Sequence, residues 1–234
     1  MEMKNQGITS KQVLLAEIIY WGLWGILLFM SFIFSLFLSL IHIPLILSYI
    51  ISFYFSLCFL GYLLPKPKAG IHKLSSLNAK KWFINFQYGK IWNIPFIKHI
   101  IFSSFILRPI FLKACGCKIP FRIAPSAYMR ISDPFMIELG QGCVVGIDVV
   151  FAGHTIVGDK LALMKVRVGK NCTIGAKSSL TAGSTVGDNV ILERGCILYP
   201  LSKIPNRVKV GHSSEISQGF KIKEGDVIPP YTKV

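Results

Sequence analysis

Acid is scarce in this sequence: 11 Asp and Glu stand against 26 Lys and Arg in 234 residues, a formal net charge of +15. The scarcity is patterned. Residues 13–64 contain no Lys or Arg and a single acid, Glu17. A bilayer is crossed by about 20 apolar residues in helical form, so this block supplies two spans, at about 13–41 and 45–64. They are broken at His42-Ile43-Pro44, where proline removes a backbone donor and restricts the residue before it. A run this long, followed at once by a second, does not fit a cleaved leader peptide. Residues 1–64 therefore read as a short flank and a transmembrane hairpin.

From Pro65 to Ser132 the missing charge is negative: twelve Lys and Arg occur there and no Asp or Glu. Lys4 and Lys11 precede the hairpin. Basic residues near span ends stay on the cytoplasmic side. Both ends of the hairpin then face the cytoplasm, which places the chain in the cytoplasmic (inner) membrane as a multi-pass protein with its C-terminal part on the cytoplasmic side. So basic a protein raises the question of nucleic acid. Trp82, Phe83, Tyr88, Trp92, Phe96, Phe102, Phe105 and Phe111, interleaved with lysine, would also suit stacking on a single strand. Beside two spans they read instead as a headgroup layer, where cations meet anionic lipids and indole rings are comfortable. The partner called for is membrane lipid, not nucleic acid. Residues 65–117 become a basic, aromatic, interfacial helical segment, with one or two helices over 94–118 and a kink at Pro109.

Beyond it a bulky apolar residue returns at every sixth position: Leu139, Val145, Phe151, Val157, Leu163, Val168, Ile174, Leu180, Val186, Leu192 and Leu198. One step, Leu163 to Val168, is a residue short. Glycine follows many of these anchors, and the fourth residue after each tends to be small or β-branched, a composition that argues against helix. Sixfold spacing of this kind is the hexapeptide repeat of a parallel β-helix, in which each hexad is a short strand and a corner. Lys170-Asn171 and Asp188-Asn189 suit corners, because Asn and Asp tolerate positive φ. Three hexads per coil would stack Leu139, Val157, Ile174 and Leu192 in one column and Phe151, Val168 and Val186 in another. The coil is expected over 118–210, capped by 211–234. The short step and Gly158-Asp159-Lys160 predict a small loop.

The six cysteines give no metal or disulfide framework. In this register Cys143 and Cys196 share a corner about 14 Å apart at strand spacing, with Cys172 on another edge. Cys115 and Cys117 are close together but lack further ligands, so no metal is expected. Of five histidines only His154 lies within the repeat, at a corner and pointing outward. Imidazole titrates in the range a general base needs.

The density of Val, Ile or Leu followed by Gly resembles the left-handed β-helix of the hexapeptide acyltransferases, over roughly residues 118–210. Leu112-Lys113-Ala114-Cys115-Gly116-Cys117-Lys118-Ile119 is similar to that family's entry into the coil, with Gly116 ending a helix. The implied fold is mainly β: a left-handed parallel β-helix preceded by a two-helix transmembrane hairpin and interfacial helices. The implied activity is transfer of an acyl group, most simply acetyl, from acetyl-CoA or another acyl-CoA to a hydroxyl or amine. The acceptor would be a small molecule or a lipid-linked or envelope glycan. Gly153-His154 resembles the family's catalytic segment, which makes His154 the base. Asp133, one coil beneath it, and Asp148, on the preceding corner, compete to orient the ring. Ser202-Lys203-Ile204-Pro205-Asn206-Arg207-Val208 resembles the segment bordering the donor groove, so Lys203 and Arg207 are candidate contacts to donor phosphates. Lys203 and Asn206 depart from the Gly and Ala of that pattern. The resemblance further implies a homotrimer with sites between copies. Carbonic anhydrase chemistry would need three histidines, and no Gly-rich phosphate loop marks a nucleotide-binding domain. An acyl carrier protein as donor, or a non-catalytic membrane-tethered docking platform, remain the competing readings.

Overall fold

Helix α1 (Ser10–Ser39) and helix α2 (Leu45–Leu63) pack against each other. Both are long and apolar enough to cross a membrane, over Val13–Ser39 and Leu45–Leu63, within two residues of the ranges expected from composition. The computed structural model describes residues 10–40, 43–121, 124–125 and 128–234; Lys4, His42 and Arg122 lie outside the described residues. The hairpin's buried side mixes Leu23, Leu27, Leu57 and Leu60 with the small polar residues Ser31, Ser35, Ser48, Ser52 and Ser56, while large apolar residues such as Phe29, Phe37, Ile46, Phe55 and Tyr62 are exposed. Small residues let helices approach closely in lipid, and a pair folding in water would turn the aromatic side inward.

After α2 the chain runs through strand β1 (Gly70–Lys73) into helix α3 (Leu77–Trp92), whose first turn is capped by Ser76, its hydroxyl accepting from Ala79 N at 3.2 Å. Three contacts set α3 antiparallel to the chain leaving α2. Lys68 N donates to Asn78 Oδ1 (3.2 Å), Asn85 Nδ2 to the Pro65 carbonyl (2.9 Å) and Tyr88 Oη to the Leu57 carbonyl (2.6 Å). Lys66 closes this seam, its Nζ donating to the Gly61 carbonyl at 2.6 Å and to Asn85 Oδ1 at 3.1 Å, and burial pushes its pKa down.

Helix α4 (Pro95–Ser103) and helix α5 (Leu107–Ala114) follow, with a 114° bend between them. The break falls at 104–106 and not at Pro109. That proline sits in the first turn of α5, where no helical partner is lost. Gly116, at φ +91°, ends α5 as the acyltransferase resemblance implied. Cys117 N reaches the Leu112 carbonyl and Gly116 N the Lys113 carbonyl, both at 2.9 Å, the paired bonds of a Schellman cap.

The rest is a three-sided coil of parallel sheets. In chain order its first strands are β2 (Ala124–Pro125), β3 (Arg130–Ile131), β4 (Ile137–Leu139), β5 (Val144–Val145) and β6 (Val150–Phe151). Then come β7 (His154–Val157), β8 (Lys160–Leu163) and β9 (Val166–Val168). Later strands are two residues each and join the same three sheets. The sixfold anchors other than Val157 are buried as expected, but the columns differ from those expected. Leu139 pairs with Val168, then Val186 and Ile204; Val145 with Ile174, Leu192 and Val210; Phe151 with Leu180, Leu198 and Ile216. The first step is 29 residues and the later ones 18, because β7 and β8 leave the coil as an antiparallel hairpin. Val157, expected in the core, is 71% exposed.

One further expectation changes with the register. Cys143 and Cys172 occupy successive levels of one column, each thiol donating to a carbonyl of the next coil at 3.0 Å, and Cys196 belongs to another sheet. All six cysteines are buried and free. Past residue 210, within the stretch expected to cap the coil with short strands and turns, Glu215–Ile216 and Val227–Ile228 extend two of the sheets.

Candidate active site

Asp133 leaves β3 at an Asp-Pro step and enters a short 3-10 turn, Pro134–Met136. Its carboxylate is 2% exposed and accepts three hydrogen bonds. Gly153 N donates to Oδ2 at 3.1 Å, His154 Nδ1 lies 2.6 Å from the same oxygen, and Trp82 Nε1 donates to Oδ1 at 2.8 Å. An ionised carboxylate can only accept, so in the neutral ring the proton belongs on Nδ1 and the lone pair on Nε2. The imidazole side chain is 22% exposed.

Packing holds this geometry from three directions. A Cβ on Gly153 would stand 2.4 Å from Met136 Cβ, so only glycine lets the chain pass close enough for its N–H to reach Asp133. The Trp82 ring lies 4.9 Å from the imidazole at 58° and stacks on Phe86 at 5.4 Å. Leu161 and Leu163 of β8 are fully buried in a cluster with Ala79, Trp82 and Met136. The segment after His154 is therefore a hairpin fastened at both sides, where a small loop was expected. β8 pairs with β7, His154 opposite Leu163, and with β1, Gly70 opposite Leu163 and Lys73 opposite Lys160.

Among the candidates, Asp133 and His154 are brought together. Asp148, the competitor, sits at a positive-φ corner with the Arg130 guanidinium 3.8 Å away. Lys203 and Arg207 are not at the pair. Lys203 is reached from Glu138 through Arg167 and Thr185, three strand spacings or about 14 Å along the coil. Arg207 occupies a corner and forms an ion pair with Glu224 at 3.1 Å. No group of three or more His, Cys, Asp or Glu side chains is arranged to hold a metal among the described residues.

Trp82 was missed as a site residue. In sequence it is one of several aromatics among lysines, and its partner is 51 residues away. No local pattern separates it from Trp92, which is buried between Phe102 and Phe111.

Residues 165–200 match a family model described as the hexapeptide repeat of succinyl-transferase. These are hexapeptide repeats. They begin where the β7–β8 hairpin ends, so Asp133 and His154 both precede the matched stretch. Among solved structures, the chain is similar to a maltose O-acetyltransferase from Clostridium difficile 630, at 15% identity over 70% of this chain and 87% of that one, with a TM-score of 0.40. A Bacillus cereus protein assigned as an acetyltransferase matches at 20% identity over 47% and 71%, with a TM-score of 0.26. A serine acetyltransferase isoform 3 from Entamoeba histolytica, in complex with cysteine, matches at 16% identity over 96% and 70%, with a TM-score of 0.24. Likenesses this distant assign neither a substrate nor a residue role.

Within the repeat coil, Glu138 shows how its outward side chains are tied between levels. Lys165 Nζ (2.7 Å), Arg167 Nε (3.0 Å) and Lys118 Nζ (3.2 Å) all meet its carboxylate. Burial pushes the Glu138 pKa up, but hydrogen bonds from Lys165, Lys118 and Arg167 outweigh that and hold it at about 2.

Proposed function

We propose that this chain is a membrane-anchored acyltransferase that moves an acetyl group from acetyl-CoA to a hydroxyl or amine, with His154 as general base. The observation that carries the reading is the buried Asp133 carboxylate beneath His154 Nδ1, which leaves Nε2 free to accept a proton. Nε2 takes the proton of the acceptor hydroxyl or amine as its heavy atom attacks the thioester carbonyl. When the tetrahedral intermediate collapses, the C–S bond breaks and the sulfur leaves with the proton held on the imidazolium, as CoA thiol. Asp133 fixes the tautomer and stabilises the imidazolium. Trp82 is a positioning residue that holds the second carboxylate oxygen.

The acceptor reading follows from height. Trp82 lies between Asn78 and Asn85, which touch Lys68 and Pro65, so His154 stands level with residues just past the end of α2 at Leu63. With α1 and α2 crossing the inner membrane and the left-handed coil on its cytoplasmic side, that level is the headgroup layer. A lipid-linked glycan would present its hydroxyls there. A homotrimer would close a cleft over each His154, and an extended CoA lying along the coil would run toward Lys203, three strand spacings above Glu138, and the Arg207 corner beyond it.

The test is thioester consumption by purified protein with inner-membrane lipid extract, comparing wild type with His154→Ala. Turnover lost with His154 supports the reading. If wild type neither binds CoA donors nor turns over with any extract, the docking platform stands instead.

A further inference from the structure

The turn between α4 and α5 sits beside the middle of α2. Tyr54 Oη donates to the Leu107 carbonyl at 2.8 Å, and a Cβ on Gly61 would stand 3.0 Å from Cys115 Sγ. Helix α5 therefore climbs alongside α2 in the same direction, from Leu107 opposite Tyr54 to Cys115 opposite Gly61. Tyr54 is nine residues before Leu63, and a rise of 1.5 Å per residue puts it about 14 Å inside the end of α2. A hydrocarbon core is about 30 Å thick. If α2 crosses it, the start of α5 lies near its mid-plane.

The turn is built for that place. Phe96, Ile100, Phe105, Ile106 and Ile110 are all exposed, like the large apolar residues of the α1–α2 hairpin. The polar backbone at the break is answered by side chains, as lipid requires. Ser104 Oγ accepts from Leu107 N at 3.1 Å, and the buried Arg108 Nη1 donates to the Phe102 carbonyl at 2.6 Å, meeting the open end of α4. Lys98 lies against Phe102, with Nζ 5.7 Å from the ring, its stem covering aromatic surface.

We infer that the chain from the last turns of α3 through α5 forms a re-entrant element. Helix α3 enters the inner leaflet from the side of the repeat coil, with Tyr88 at Leu57, and α4 lies across the leaflet nearer to the membrane plane than to its normal. After the turn at 104–106 near the bilayer mid-plane α5 returns, the exposed face of α4 and α5 covered by lipid acyl chains. This rests on reading α1 and α2 as spans and goes deeper than an interfacial position. It places lipid chains against the wall of the helical unit that carries Trp82, beside the level of His154.

The experiment uses the full-length protein in vesicles of phosphatidylcholine and phosphatidylglycerol, with a fluorophore on one introduced cysteine. The six native cysteines are buried, and the unsubstituted chain gives the labelling background. Phe105→Cys is compared with Phe55→Cys on α2 and Leu77→Cys at the start of α3, all three exposed positions. The expected result is that labels at 105 and 55 are quenched alike by lipids carrying a nitroxide in mid-chain, several-fold more than the label at 77. Quenching of the 105 label by an aqueous reagent, or shielding from both reagents by a neighbouring copy, overturns the re-entrant element. If the label at 55 also escapes lipid quenching, the spanning hairpin falls with it, which separates the two failures.

Discussion

The coil holds two histidine–carboxylate pairs, and they differ in almost everything but composition. His154 Nδ1 lies 2.6 Å from an Asp133 carboxylate that is 2% exposed and holds two further donors, Gly153 N and Trp82 Nε1. His212 Nδ1 lies 3.3 Å from Glu193, whose side chain is 31% exposed and also meets Lys209 Nζ at 3.1 Å. Glu193 has its pKa lowered, first by Lys209 and then by the His212 backbone and ring. One carboxylate is fixed by packing and, among the described residues, forms no ion pair with Lys or Arg. The other is shared, solvated and neutralised by a lysine. A dyad is a matter of burial and exclusivity, not of two residue types in contact.

The largest test of that contrast is His154→Ala, which should lower kcat by about 10²–10⁴, the usual share of a general base. His212→Ala should leave kcat within about two-fold, since exposed pairs contribute little. Equal losses in the two variants would erase the distinction. Asp133→Asn comes next: an amide can present its N–H to Nδ1 and favour the wrong tautomer, so a loss of about 10²–10³ in kcat is expected with the fold kept. Glu193→Gln should be silent in the same assay.

Trp82→Phe keeps the ring and removes one hydrogen bond to a charged group, a difference of about 1.5–3 kcal/mol where the bond is buried. The expected outcome is a fall of about ten-fold in kcat with KM for donor and acceptor unchanged. It should come with broadening of the His154 ring signals in spectra of ¹⁵N-histidine-labelled protein. A matching loss from Phe86→Leu, which touches Trp82 but not Asp133, would reduce Trp82 to packing. The smallest effect concerns stability. Glu138 titrates near 2 when folded and near 4.5 when unfolded, so its stabilisation is full above about pH 4.5 and is lost as pH falls through 2. With a partly solvated carboxylate, Glu138→Gln should cost about 1 kcal/mol at pH 7, and the gap to wild type should close in acid. Thermal unfolding in detergent across pH reads this directly.

How far the sequence could be read depended on the distance over which each decision is made. The sixfold period identified the coil because inward positions in stacked levels must be apolar at every turn. It failed at 153–165, where a hairpin's own alternation supplied Val157 and Leu163 at sixfold spacing by coincidence. Val157 proved exposed, and Leu163 is buried against α3 and not in the prism. That one misreading shifted both proposed columns and the placement of the cysteines. The pairing of Asp133 with His154 was half visible, since the two follow strands on adjacent levels of the coil, but nothing local chose it over Asp148.

The sequence alone determined the parts governed by repetition and by solvent: the stacked three-sided coil, and the two helices whose lack of charge suits lipid. Those follow from periodicity and composition, which every residue in a stretch reports together. The tertiary structure decided which strand pairs with β8, which aspartate meets the histidine, and that Trp82 from a helix 51 residues upstream closes the carboxylate's hydrogen bonds. Those are single contacts between distant segments. Close packing fixes them through particular shapes, and shape leaves no period to read.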